Sequence, residues 1–91
     1  MEIWSFKCYV SAAGNDKVRE WYDAIPPAAQ AAFDVTLEYL AQRERHDWGR
    51  PQFAPITGKK YRQLSEIRFD AGGVEYRVLG HFGPNRREYT L

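Results

Sequence analysis

The sequence predicts an α+β fold in which two N-terminal helices pack on one face of a small antiparallel sheet. Alternating apolar and polar side chains, typical of strands, occur near residues 2–10 and again along residues 61–82. Between these segments, apolar side chains spaced three and four residues apart indicate helices. Because helices precede a run of strands, the expected order is β-α-α-β-β-β, which favours an α+β sandwich over a parallel sheet.

Residues 61–82, which read YRQLSEIRFDAGGVEYRVLGHF, form the centre of the predicted sheet. Two alternating runs flank a glycine-rich link at residues 70–73, an arrangement typical of a β-hairpin. Since strand side chains alternate between two faces, one face of the hairpin is apolar and requires a covering layer of helices. The other face is polar and carries Glu66, Arg68, Arg77 and His81.

A first strand is predicted at residues 2–10, with its even-numbered side chains in the core. These side chains are Trp4, Phe6, Cys8 and Val10. We expect Cys8 to be a small buried residue, because a reactive thiol needs an exposed and electropositive setting.

Two helices are predicted between residues 16 and 45. Asn15 or Asp16 can cap the first helix by accepting orphan backbone N–H groups, and Pro26 ends it. Pro27 suits the first turn of the second helix, where its missing N–H has no effect. The second helix has an apolar stripe of Ala29, Phe33, Leu37, Leu40 and Ala41, whereas Glu38, Gln42 and Arg45 are expected to point outward.

Residues 46–58 show no periodicity and predict an ordered loop that Trp48 and Phe53 hold in place. A turn at residues 83–85 then leads into a last strand at residues 86–91. Since the sequence stops there, we expect this strand to be an open sheet edge. A partner strand can add to such an edge, and an open edge also favours a homodimer.

The 91 residues predict a single domain, spanning residues 1–91. One cysteine cannot form an internal disulfide, and with only two distant histidines it does not make a zinc site. No nucleotide-binding motif occurs, so neither a metal nor a cofactor is expected. Without a secretory signal or an apolar run long enough for a membrane span, we expect a cytoplasmic protein that does not contact membranes.

The net charge of +1 is unevenly distributed. Residues 1–55 contain six Lys/Arg and eight Asp/Glu, for a net charge of −2, whereas residues 56–91 contain seven Lys/Arg and four Asp/Glu, for +3. A basic bias on the strand half of the chain is compatible with a phosphate-bearing partner.

Arg68 and Arg77 are the first candidates for chemistry, since they are expected on adjacent strands with the same facing. Two guanidinium groups can bind one phosphate and stabilise the extra charge of a phosphorane-like transition state. In the alternative interpretation, each arginine forms an ordinary cross-strand ion pair with a neighbouring carboxylate, Glu66 or Glu75.

Other polar residues near the hairpin have weaker signals. His81 faces the same way and is a candidate for proton transfer, although a single strand histidine is more often a plain surface residue. Glu66, beside two arginines, suits an orienting role better than that of a base. Four further basic residues are candidates for contacts to phosphates, or are simply solvated: Lys59, Lys60, Arg86 and Arg87.

Nearly the whole chain resembles the phage-derived, HigB-like branch of the RelE/ParE toxin superfamily. The resemblance lies in the segments VREWYDAIPPAAQAAFDVTLEYLA, YRQLSEIRF and VEYRVLGHF, above all in Leu64-x-Glu66-Ile67-Arg68-Phe69 and Tyr76-Arg77-Val78-Leu79. It implies a RelE-like fold and cleavage of messenger RNA in the ribosomal A site. It also implies an antitoxin encoded alongside, for which a helix-turn-helix protein is expected.

By position, the resemblance implies that Arg77 acts on the scissile phosphate and that Arg68 is a basic position of the adjoining strand. Lys59 and Lys60 fall where relatives often have basic residues, whereas His81 is a candidate by its facing alone. Relatives usually continue into a Lys-rich segment and a final helix. Because this sequence stops at Leu91, we expect either a truncated form of a longer chain or a member that lacks part of that site.

Two functions are therefore open. The first is a metal-independent toxin endoribonuclease, in which the RNA 2′-hydroxyl attacks the adjacent phosphate. Arg68 and Arg77 would stabilise charge, and His81 or a lysine would move protons. The second is a non-catalytic binding module of the same fold, either a gyrase-directed toxin or a shortened relic that binds only its antitoxin.

Overall fold

The computed structural model describes residues 3–57, 60 and 63–91. It confirms the α+β fold, because two helices lie between the first and second strands of a five-stranded, mostly antiparallel sheet and pack on one of its faces. The helices are α1 (Lys17–Ala24) and α2 (Pro27–Ala41), and a 3₁₀ turn follows at Arg45–Asp47. The strands are β1 (Ser5–Lys7), β2 (Phe53–Pro55), β3 (Ser65–Ala71), β4 (Val74–Phe82) and β5 (Glu88–Thr90).

Local sequence signals determine where both helices begin and end. The Asp16 carboxylate accepts a hydrogen bond of 2.9 Å from the Arg19 backbone N–H and caps α1. Ile25 is extended before Pro26, and α2 begins with Pro27, as predicted. In the part of the chain that the structure describes, no helix has the length and apolar character needed to cross a membrane.

The central hairpin has the two faces that its alternation predicts. Ile67 lies opposite Val78 in the antiparallel register of β3 and β4, and both side chains are buried. The rings of Trp21 and Phe33, from α1 and α2, meet Phe69 on the same face at centroid distances of 6.2 and 5.4 Å. The helices therefore cover the apolar face of the hairpin and leave its polar face uncovered by them.

The last strand is not an open edge, so that prediction is wrong. The strand order is β1-β5-β4-β3-β2, and β5 lies between a parallel partner, β1, and an antiparallel partner, β4. The Leu91 N–H donates to the Lys7 carbonyl and the Tyr9 N–H donates to the Leu91 carbonyl, each at 2.8 Å. Because β1 occupies this position, β5 does not offer the edge from which a homodimer or strand addition was expected.

The predicted loop at residues 46–58 contains a strand. With three residues, β2 is too short for its alternation to be visible in the sequence, yet it pairs antiparallel with β3 and places Phe53 opposite Ile67. Trp48 and Phe53 are both buried, as predicted.

The first strand is shorter than predicted, and Cys8 is exposed instead of buried. The chain leaves the sheet after Lys7, so the alternation does not continue as far as Val10, which is also exposed. Partial desolvation raises the pKa of the Cys8 thiol, and the Asp16 carboxylate raises it further. A thiol with a raised pKa stays protonated near neutral pH and is a poor nucleophile.

A cluster of aromatic rings forms the core at the end of the sheet near β5. Trp48 is its centre, with ring centroids at 5.0 Å from Trp4, 5.2 Å from Phe82, 5.4 Å from Phe53 and 5.6 Å from Tyr89. Tilted and edge-to-face arrangements of this kind add to the stability gained by burial alone. The cluster joins the segment after α2 to β1, β4 and β5.

Tyr89 should make the stability of the protein sensitive to alkaline pH. Its side chain is fully buried, and desolvation raises the pKa of Tyr89 to about 12, with the Glu66 carboxylate contributing to the rise. Because the ordinary pKa is about 10, the buried neutral phenol stabilises the fold fully below pH ~10. This contribution, about 2–3 kcal/mol, should be lost between pH ~10 and ~12.

Urea unfolding at pH values across that window measures the loss. Tyr89→Phe should reduce it, since no phenol remains at this position to ionise. Tyr9→Phe, at an exposed position, is the matched control and should keep it. If Tyr89→Phe loses as much free energy of unfolding at alkaline pH as the wild type does, another group is responsible for the loss.

Candidate functional site

The polar face of the hairpin brings Arg68 and Arg77 together. The two residues lie directly opposite each other in the register of β3 and β4, at a Cα separation of about 5 Å for such a pair. The prediction that they share a face is therefore confirmed. Their strands are held by a continuous ladder of seven pairs, so the two side chains project from rigid backbone.

Glu66 lies beside both arginines. Its carboxylate is buried and accepts a hydrogen bond of 2.7 Å from Arg68 Nε, and Arg77 Nη1 lies 3.7 Å from the same oxygen. Like charges directly opposite on two strands repel each other, so this shared carboxylate offsets the repulsion between the arginines. The orienting role of Glu66 stays a prediction, and its contacts with both arginines are the geometry that such a role requires.

Arg77 also pairs with Glu75. Its Nε donates a hydrogen bond of 2.6 Å to the Glu75 carboxylate, and this bond is the main reason why the pKa of Arg77 is raised. Both arginines thus pair with the carboxylates named in the alternative interpretation, but the two short pairs lie within one strand each, and only the 3.7 Å contact between Arg77 and Glu66 crosses strands. The Arg77 side chain is nevertheless 55% exposed, against 21% for Arg68. Arg77 is therefore the more accessible of the two to an incoming anion.

His81 does not lie beside the arginine pair. It is four residues from Arg77 along β4, a separation of roughly 13 Å at the rise of an antiparallel strand. It pairs with Thr90 of β5 and lines a cavity of about 730 Å³ whose lining includes neither arginine of the pair. The structure therefore brings together two of the three predicted catalytic residues and separates the third from them.

We call the cavity beside His81 the histidine groove. It lies between the 3₁₀ turn, β2 and the adjoining ends of β3 and β4, and its lining includes Arg45, His46, His81, Trp48, Phe53 and Phe82. Arg45 is exposed, as predicted, and its guanidinium carbon lies 3.8 Å from the centroid of the Phe82 ring. Since α2 ends at Ala41, the helical facing does not continue as far as Arg45.

Two of the predicted phosphate-contacting residues lie next to the histidine groove. A second concavity, of about 420 Å³, shares Arg45 and Phe82 with the groove and is lined by Arg86 and Arg87. The Arg87 guanidinium also pairs with Glu44 at 3.1 Å. These arginines therefore lie on the His81 side of the molecule.

The structure describes one of the two predicted lysines. Lys60 is exposed, whereas Lys59 lies outside the described residues. Over residues 3–57, 60 and 63–91, no three His, Cys, Asp or Glu side chains come close enough together to hold a metal ion.

Glu66→Gln should destabilise the protein. The amide keeps the size of the side chain but removes the negative charge that offsets the repulsion between Arg68 and Arg77. Two facing guanidinium groups then remain on a partly buried face without a shared carboxylate. A change of about 1–3 kcal/mol in the free energy of unfolding is expected for a buried charged partner, measured by urea unfolding. Glu75→Gln, on the exposed side of Arg77, is the control and should change stability less. Equal effects of the two substitutions would contradict this account of Glu66.

The element order and the sheet define a RelE-like topology. A family model described as Phage derived protein Gp49-like (DUF891) matches residues 20–91, which include Arg68, Arg77 and His81. The chain belongs to this phage-derived family, within the RelE/ParE-like toxin superfamily. No curated protein and no solved structure matches the chain.

Proposed function

We propose that the protein is the toxin of a toxin–antitoxin pair of the HigB-like branch and cleaves messenger RNA on the ribosome without a metal ion. The observation that carries this proposal is the direct opposition of Arg68 and Arg77 on the polar face of a rigid hairpin. Membership of a toxin superfamily supports it. Messenger RNA, the ribosome and a helix-turn-helix antitoxin are the proposed partners, and the cytoplasm is the proposed location.

In the proposed reaction, the 2′-hydroxyl of the RNA attacks the adjacent phosphorus atom and the bond to the 5′-oxygen breaks. The 2′-hydroxyl loses a proton and the leaving 5′-oxygen gains one, which yields a 2′,3′-cyclic phosphate and a 5′-hydroxyl end. Arg77 binds the non-bridging oxygens, where negative charge increases in the transition state. The Glu66 carboxylate orients Arg68, so that the Arg68 guanidinium lies next to that of Arg77.

In this proposal, proton transfer at the phosphate is assigned to a group other than His81. His81 lies roughly 13 Å from Arg77 along β4 and lines a cavity that does not include Arg77. Lys59 and Lys60 are the remaining proposed candidates, and they also remain proposed RNA contacts. Much of the rate would come from the ribosome, which holds the message in a geometry suited to in-line attack.

A non-catalytic binding module is the second candidate function. The observation that favours it is the pairing of both arginines with carboxylates, Arg68 with Glu66 and Arg77 with Glu75. A phosphate must displace or join these partners before it can bind. In this case the protein would act on gyrase, or would bind only its antitoxin.

Induced expression in bacterial cells distinguishes the two functions. The nuclease proposal predicts that protein synthesis stops and that 5′-hydroxyl RNA ends accumulate within reading frames. A DNA-damage response with intact messages would contradict it and favour a gyrase-directed toxin. Normal growth with intact messages would contradict both toxin activities and leave antitoxin binding. Co-expression of the antitoxin that we propose, a helix-turn-helix protein encoded beside the toxin, should restore growth.

A further inference from the structure

The histidine groove is not used by the proposed cleavage at Arg77, yet its chemistry is specific. Three aromatic side chains, Trp48, Phe53 and Phe82, line it together with the basic side chain Arg45 and two imidazoles. At about 730 Å³, its size lies within the range of small-molecule sites, roughly 300–1,000 Å³. Aromatic walls beside positive charge suit a ligand with a flat ring and an anionic group.

A stacking surface is already assembled within the groove. The exposed Arg45 side chain places its guanidinium 3.8 Å from the centroid of the Phe82 ring. Aromatic rings and guanidinium planes are the surfaces on which proteins stack unpaired RNA bases. Arg45 thus combines a planar surface for a base with a charge for the adjoining phosphate.

The basic lining continues beyond the groove. The neighbouring concavity shares Arg45 and Phe82 with it and adds Arg86 and Arg87. The two carboxylates of that concavity are engaged by cations, Glu44 by Arg87 and Glu88 by Lys7 at 2.9 Å. A chain of phosphates that leaves the groove therefore meets an arginine-lined path, as in electrostatic tracks for single strands.

We propose that the histidine groove binds one unpaired nucleotide of the RNA, with its base on the Arg45–Phe82 stack and its phosphates along the path toward Arg86. This inference rests on the proposed function and assigns it a substrate subsite, a few nucleotides away from the phosphate held by Arg77. His46 and His81 both line the groove and are binding residues of this subsite. The subsite positions the strand and does not take part in bond cleavage.

Titration of the full ¹⁵N-labelled chain with hexauridylate and hexaadenylate, followed by NMR, tests the subsite without the ribosome. The backbone amides of Arg45, His46, His81 and Phe82 should shift on titration. Adenine, with the larger ring, should bind more tightly than uracil. Arg45→Gln should weaken binding about tenfold, as expected for loss of one base-stacking contact, and should reduce the slope of log affinity against log salt by about 1.

Arg43→Gln is the matched control, because the Arg43 guanidinium lies 4.7 Å from the centroid of the Tyr39 ring and outside the groove lining. It should bind both oligonucleotides as the wild type does. Equal affinity of Arg45→Gln and wild type would overturn the proposal. Tighter binding of oligoglutamate than of RNA would also overturn it and assign the groove to an acidic peptide.

Arg77→Ala separates the subsite from the cleavage proposal. This variant should keep the shifts at Arg45 and His81, because the groove does not include Arg77. If the wild type fails to cleave RNA but the groove still binds it, the nuclease proposal fails alone. Shifts that occur only around Arg68 and Arg77 would overturn the subsite and leave the cleavage proposal intact.

Discussion

Replacing Gly80 by alanine is expected to lower the free energy of unfolding by about 3 kcal/mol or more, at the upper end for overpacked sites. A Cβ atom at this position would contact Cε1 of the Tyr89 ring and lie 2.5 Å from the Thr90 carbonyl oxygen. The second contact is with backbone of β5, which is held between β1 and β4 and cannot yield as a flexible side chain would. The whole strand would have to shift.

The close approach at Gly80 explains how the last strand is fixed. Gly80 lies opposite Ser65 in the hairpin register, and the Tyr89 ring over Gly80 extends its hydroxyl to within 2.8 Å of the Ser65 hydroxyl. An alanine would thus disturb both β5 and this buried hydrogen bond.

Gly49→Ala is the control, since a Cβ atom there meets nothing within 4 Å and no positive φ is required. Its effect should lie within about 0.5 kcal/mol. Urea unfolding of both variants gives the comparison, and similar midpoints for Gly80→Ala and Gly49→Ala would contradict the predicted clash.

Arg77→Ala is expected to reduce the rate of message cleavage on the ribosome by about 10²–10³-fold, the effect of removing one group that stabilises transition-state charge. Arg77→Lys should recover little, because a lysine provides a point charge without the bidentate fork of a guanidinium. The unfolding midpoint should stay close to that of the wild type, since an exposed ion pair contributes little to stability.

Arg19→Ala provides a matched control for charge and for an exposed ion pair. Arg19 lies on α1 and pairs with Asp23 at 3.4 Å, much as Arg77 pairs with Glu75, but it is not on the hairpin. Its loss should leave cleavage unchanged. A cleavage rate reduced equally by both variants would indicate a general requirement for positive charge and not a site at Arg77.

Local signals predicted the hairpin and the helices, because their information lies within a few neighbouring residues. Alternation along β3 and β4 defines both faces, and Asp16, Pro26 and Pro27 mark helix ends at the positions observed. Strand partnership is different. The parallel pairing of β1 with β5 joins residues more than 80 positions apart, and nothing in either segment alone indicates it.

The candidate site was predicted only in part, because sequence patterns indicate local arrangements and not contacts between distant segments. Arg68 and Arg77 belong to one hairpin, so their opposition follows from the turn between them. The histidine groove joins residues from the turn after α2, from β2 and from the end of β4. The sequence offered one signal for it, the basic residues Arg45 and His46 just before the buried Trp48. Periodicity does not extend beyond the end of α2, so the contact of Arg45 with the Phe82 ring was not predictable.

Primer extension on a defined message, in a cell-free translation extract with the wild type, Arg77→Ala or Arg19→Ala added, shows whether the arginine pair is needed for RNA cleavage. We expect new 5′ ends with the wild type and Arg19→Ala, and their loss with Arg77→Ala. Inhibited translation without new ends, or the same new ends with Arg77→Ala, would contradict the claim that the arginine pair is the site of RNA cleavage.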